Sequence, residues 1–226
     1  MFMPGFGETL IPPRARVSFA LMLCLVIYPL TPIAPNAPEA ILATAQLLFA
    51  EVMVGLWIGL AARTLLTALE FTGHIVGQVS GLTNAFGPSL GSFQGATLVS
   101  TFLMLAAIAL IFATNTHHIA LIALLESYAV FPVGQLHPED WAEQIVRTGS
   151  KSLYIGATVA IPFLIMGVIL NLGMGLANRM MPQLPVFFVA ASLLIGSGLL
   201  MLTFATPTIL GTFLKQYIGL FRELGF

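Results

Sequence analysis

Charge is what this chain has least of. Asp, Glu, Lys and Arg make up 8% of its 226 residues, against roughly 25% in a soluble domain, so a water-soluble globular core is excluded. Eight basic residues against nine acidic leave a net charge of −1, which provides no basic footprint for nucleic acid. One cysteine, Cys24, lies inside an apolar run. That excludes a disulfide framework and a thiolate metal cluster. No hydrophilic block is long enough to fold as a second domain, so residues 1–226 read as a single membrane domain.

Apolar residues supply 58% of the chain and the mean hydropathy is +0.99. Between Glu70 and Glu126 lie 55 residues without a charge. The later part, Ala96 to Ala113, is apolar and long enough to cross a bilayer. The earlier part, Phe71 to Gly95, is rich in glycine, serine, threonine, asparagine and glutamine. Small polar groups at membrane depth must pack against protein or line a path. The expectation is therefore a conduit or assembly protein of the membrane. The fold class expected is all-α, a polytopic membrane protein of helical hairpins with a Gly-rich, irregular, plug-like segment at 71–95.

With charges and prolines taken as boundaries, six apolar segments emerge: Arg16–Leu30, Ala40–Leu69, Ala96–Ala113, Ile119–Val133, Ser152–Ala177 and Val186–Ala205. A connector at 135–151 separates the fourth from the fifth. In it Glu139, Asp140 and Glu143 precede Arg147 and Lys151, an order that suits a helix dipole, and Trp141 is placed as an interfacial anchor. The tail from Pro207 carries Lys215, Arg222 and Glu223 and suits a helix leaving the bilayer. If the segments alternate across the membrane, Arg14, Arg16, Arg147, Lys151, Lys215 and Arg222 share one side and Arg179 lies on the other. The positive-inside rule then puts both termini in the cytoplasm. Arg14, Arg16 and the apolar run after them also imitate a signal peptide, but Pro29 and Pro32 suit a span end equally well.

Several constellations lie within these segments. Glu51, Gly55, Gly59 and Arg63 recur every fourth residue, reading as a close helix contact with an acid and a base at its ends, with an ion or proton path as the other reading. Gly73, Gly77 and Gly81 form one GxxxGxxxG row, and Gly87, Gly91 and Gly95 a second. Between the rows Pro88 breaks any helix and disfavours helical geometry at Gly87. Asn84, Phe86, Gly87, Pro88 and Ser89 are the candidate pore or plug residues, and a tightly packed re-entrant turn is the other reading of this break. Glu51, Arg63, Glu70 and Glu126 are the intramembrane charges, each a functional candidate by its cost. Histidines give no enzyme: His74, His117 and His118 form no HxxxH pair, and adjacent histidines on a helix point apart by about 100°. No GxSxG elbow and no phosphate-binding loop is present. The expectation is no catalysis, no metal and no cofactor.

Asn171 to Leu184, with Asn178, Arg179, Pro182 and Gln183 at its heart, resembles the segment before the last membrane helix of the FliR family of export-gate proteins. Glu51 to Arg63 resembles that family's E-x-x-x-G-x-x-x-G-x-x-x-R helix, and Gly81 to Pro88 its G-L-S-x-x-F-D-P loop. Asn115 to His118, followed by Pro132-Val133-Gly134, resembles its N-G-H-H turn and P-I-G helix end. The four motifs occur in family order and span nearly the whole chain. The resemblance implies a non-enzymatic subunit of the flagellar type III export gate in the bacterial inner membrane. FliP-like and FliQ-like subunits and a FlhB-like switch protein are the partners it implies, and unfolded flagellar proteins the cargo. It also implies that the loop at Phe86–Ser89 plugs the closed pore. Gly87 stands where the family often has Asp, and a further membrane helix normally precedes Pro4 in the family. The injectisome branch of the family and an independent ion or solute transporter are the alternative readings.

Overall fold

Helix-forming residues dominate each apolar segment, and in hydrocarbon a backbone satisfied within its own segment is the only economical single-chain solution. The structure, a computed structural model, describes residues 3–7, 11–31, 40–82, 98–131, 138–180 and 186–224. Among them every regular element is helical: α1 (Pro13–Ile27), α2 (Ile41–Val79), α3 (Leu98–Ala113), α4 (His117–Val130), α5 (Pro138–Met180) and α6 (Val186–Glu223). Among the described residues four helical stretches are long and apolar enough to cross a membrane, and the bent pair α3 and α4 brings the number to five if it counts as one span. The all-α, polytopic class expected from the sequence is the one observed; of the irregular segment expected at 71–95, residues 71–79 are helical in α2 and those from residue 83 lie outside the described residues.

The helices are longer than the segments read from charge and proline. The helix opened by the Gly73 row is fused to the one before it, making α2 39 residues long, because no proline or run of charge interrupts it. The connector at 138–151 is the first third of the 43-residue α5. In place of an exposed interfacial anchor, Trp141 is 5% exposed. Pro207 does not end α6 either. Upstream of it the Thr203 and Thr206 hydroxyls donate to the Leu199 and Leu202 carbonyls, and proline is tolerated inside apolar membrane helices. Ile209, Phe213, Tyr217, Leu220, Phe221 and Leu224 continue α6 as a buried stripe, so the tail packs into the fold.

The chain divides into two compact units, one of residues 1–66, 108–150 and 214–226, the other of residues 67–107 and 151–213. In the first, the N-terminal turn is held by Phe6, stacked on Phe19 at 4.9 Å and edge-on to Phe112 at 5.5 Å. Trp57 stacks on Trp141 at 5.8 Å, meets Phe131 edge-on at 5.5 Å, and donates its indole N–H to the Trp141 carbonyl at 3.2 Å. Those contacts join α2, α5 and the end of α4.

The turn between α3 and α4 shows how a polar tripeptide bends an apolar hairpin. Asn115 has φ 56°, a left-handed geometry that asparagine tolerates better than most residues. Its N–H donates to Phe112 and that of Thr116 to Ile111, the paired bonds of a Schellman cap. The Thr114 and Thr116 hydroxyls bond each other at 2.6 Å. With the carbonyls of Leu110, Ile111 and Phe112 satisfied, the chain turns and α4 departs at 73°.

Candidate functional site

In the second unit the buried face of α2 is built from small residues. Thr72, Gly73, Gly77 and Ser80 are all buried. A Cβ on Gly73 would fall on the Cα and N of Ser100 in α3, so the two backbones touch. From that contact α2 runs six residues further to Val79, about 9 Å. It stops at Gly81, whose φ is +67° and whose N–H caps the Gln78 carbonyl at 3.1 Å. Gly81 is thus required by a left-handed terminus, a role beyond the helix packing expected of its row.

α5 supplies the facing surface. Ser152, Gly156, Ala160, Phe163 and Gly167 are buried along one stripe of it. The Thr67 and Ser152 hydroxyls bond at 3.3 Å. Thr72 places its hydroxyl 2.8 Å from the Ala68 carbonyl and 3.1 Å from that of Gly156. A Cβ on Gly156 would stand 2.9 Å from the Ala68 carbonyl oxygen, and one on Gly167 would run into Val79. On α6, Gly198 likewise admits Ser80. This is a membrane helix interface of small residues with hydroxyls hydrogen-bonding across it. The α5 row went unread in the sequence, although small residues at 152, 156 and 160 are spaced for it.

Residues 83–97 connect the end of α2 to the start of α3. The candidate plug residues Asn84, Phe86, Gly87, Pro88 and Ser89, and Gly91 and Gly95 with them, lie outside the described residues, as do Pro182 and Gln183. What the structure shows is the stem from which that segment departs, held by close contacts of α2 with α3, α5 and α6.

Glu51 is half-buried and faces the Tyr128 hydroxyl of α4. A Cβ added at Gly55 would meet nothing within 4 Å, Gly59 is buried, and Arg63 is exposed. The four-residue row is therefore not a single groove, because each step of four overshoots a helical turn by about 40°. Glu70 is exposed, and on the next turn His74 bonds Gln78 through its ring Nε2 at 2.8 Å. Glu126 is exposed on α4, and Asn178 and Arg179 are exposed at the end of α5. His117 and His118 lie ring to ring at 4.1 Å, with His118 Nδ1 3.1 Å from the Asn115 carbonyl, so their roles are at the turn. Among the described residues the arrangement presents no nucleophile beside a base.

Comparison with known proteins gives this arrangement a context. Residues 1–219 match the family described as bacterial export proteins, family 1. The flagellar biosynthetic protein FliR of Caulobacter vibrioides is 33% identical across 99% of this chain and 88% of its own length. FliR of Escherichia coli K12 is 26% identical across 91% of this chain and 79% of its own length. The Yop proteins translocation protein T of Yersinia pestis is 29% identical across 77% of this chain and 68% of its own length.

Proposed function

This chain belongs to family 1 of the bacterial export proteins, the family of FliR, and on that premise we propose that it is a non-enzymatic subunit of the flagellar type III export gate. With FliP-like and FliQ-like subunits it forms the pore for unfolded flagellar proteins in the inner membrane, beside a FlhB-like switch protein. Asn84, Phe86, Gly87, Pro88 and Ser89 act as the plug. The observation that carries this reading is the Gly73–Ser100 backbone contact, met in a chain of this family. It holds α2 to α3, the two helices that residues 83–97 connect. The flagellar branch is preferred to the injectisome branch because the similarity to FliR of Caulobacter covers 99% of the chain and that to the Yop protein 77%.

The bent pair bears on orientation. As a single broken crossing, α3 and α4 would leave Arg14, Arg16 and Arg179 on one side and Arg147, Lys151, Lys215 and Arg222 on the other. As a hairpin entering and leaving by one face, they keep six basic residues together against Arg179 alone. The positive-inside rule selects the hairpin and places both ends of this chain in the cytoplasm.

Export separates this function from transport by the lone chain. In cells deleted for their own gate subunit, the protein is expected to restore secretion of hook and filament proteins. Purified alone into liposomes, it is expected to carry no proton flux. Flux through the lone chain, with secretion unrestored, would sink the export reading in favour of a transporter built on Glu51, Arg63, Glu70 and His74.

A further inference from the structure

Residues 41–62, the apolar first half of α2, carry one charge, Glu51. The stretch is about 33 Å long, close to the hydrocarbon thickness of about 30 Å, and Glu51 lies about 15 Å from its start. The carboxyl group is therefore at mid-depth, where an acid is costly and is paired or turned to the interior. Glu51 is half-buried, and the Tyr128 hydroxyl of α4 faces it. That hydroxyl has one proton to donate, against about four acceptor sites on a carboxylate. The chain's eight Lys and Arg residues all lie within the described residues, and none forms an ion pair with Glu51.

The flank beside this acid is open. Thr44, Glu51 and Gly55 are spaced by seven and four residues, which returns the later two to within about 20° of the bearing of the first. Thr44 and Gly55 are exposed, and the Thr44 hydroxyl turns back to the Ala40 carbonyl at 3.3 Å. Gly73, Gly156, Gly167 and Gly198 each have a neighbour in this chain where a Cβ would stand, but a Cβ on Gly55 would meet nothing within 4 Å. A small-residue notch one turn from an acid is how membrane helices admit close neighbours with polar groups paired across the contact. Lipid tails could fill the notch, but they bring no cation to mid-depth.

We infer that this flank of α2 seats a membrane helix of a partner subunit. That helix passes closest at Gly55 and sets a lysine or arginine opposite Glu51, so the partner is recognised by charge as well as by fit. The Glu51 carboxylate then has the Tyr128 hydroxyl on one side and a cation on the other. An unfilled notch and an acid without a base both belong to the chain taken alone, and one occupant accounts for both. The inference rests on the export-gate reading, under which this chain works inside a complex.

The test compares two variants, each purified alone and co-expressed with FliP-like and FliQ-like subunits. Glu51→Gln keeps the shape of the side chain and a bond to Tyr128, and Gly55→Leu projects into open space. Both isolated chains are expected to keep the yield and unfolding midpoint of the unaltered protein. By native mass spectrometry both are expected to enter the complex at least about tenfold less, the scale of a broken buried charge pair or an overpacked contact. Replacing the facing lysine or arginine of the partner with glutamine, each basic residue of its apolar segments being tried in turn, is expected to restore Glu51→Gln, because the cost lies in the charge left unpaired. A Glu51→Gln chain that assembles normally would mean a neutral acid held by Tyr128 alone and overturn the inference. Normal assembly of Gly55→Leu would overturn it too, as would variants that separate two copies of this chain and leave the other subunits bound. Failure of the unaltered chain to join any complex would instead overturn the export-gate reading, and the inference with it.

Discussion

Gly73→Leu is expected to abolish recovery of folded, assembled protein and with it export. On an isolated helix the change would help, because glycine in a helix interior costs about 1 kcal/mol against better helix formers. Here a Cβ at residue 73 would meet the Cα and N of Ser100, which are backbone atoms. Backbone cannot swing aside as a side chain does, so α2 and α3 must separate. Overpacking a tight core costs about 1–3 kcal/mol even when the neighbours are side chains, and the steric term therefore wins. Even Gly73→Ala is expected to lower the unfolding midpoint of the detergent-purified protein. Gly55→Ala is the matched control: nothing lies within 4 Å of that position, so the isolated chain is expected to keep or slightly raise its midpoint. A Gly73→Leu protein that purifies at normal yield with an unchanged midpoint would show that the two helices do not touch there.

Trp57→Ala carries the other large effect. Trp57 is 2% exposed and its ring contacts Phe131 and Trp141 while its N–H serves the Trp141 carbonyl. Truncating a buried tryptophan costs about 3–5 kcal/mol, of which the hydrogen bond accounts for about 0.5–1.5 kcal/mol. Trp57→Phe keeps an aromatic ring in the cluster and is expected to lose much less. Because membrane proteins often unfold irreversibly, the comparison is of midpoints at one fixed scan rate. If Trp141 were only an interfacial anchor, Trp57→Ala would leave the midpoint where it was.

The membrane class is legible because it depends on composition, and the helices because apolar runs in lipid have little choice of structure. Helix length is harder to read. Thr72, His74 and Gln78 look like the polar residues of an irregular segment, yet each finds a partner without leaving the helix, Thr72 at carbonyls and the other two at each other. Pro207 looks like a boundary, yet packing on both sides of it keeps α6 continuous. Charges at 139–151 suggest a separate surface helix, yet no breaker divides them from the apolar run that follows. Spacing at every fourth residue misleads in one place and is easily overlooked in another. The row from Glu51 to Arg63 winds around its helix, whereas Ser152 and Gly156 meet α2 and Ala160 is buried in line with them. A row of four identical steps drifts, and only a neighbouring helix that follows the drift makes it a groove.

Assembly decides the central claim. The chain is co-expressed with FliP-like and FliQ-like subunits, extracted in mild detergent, and its complexes weighed by native mass spectrometry. The account predicts one discrete complex containing this chain together with both partners. A chain that purifies alone, stable and unaccompanied while the partners assemble without it, would contradict it.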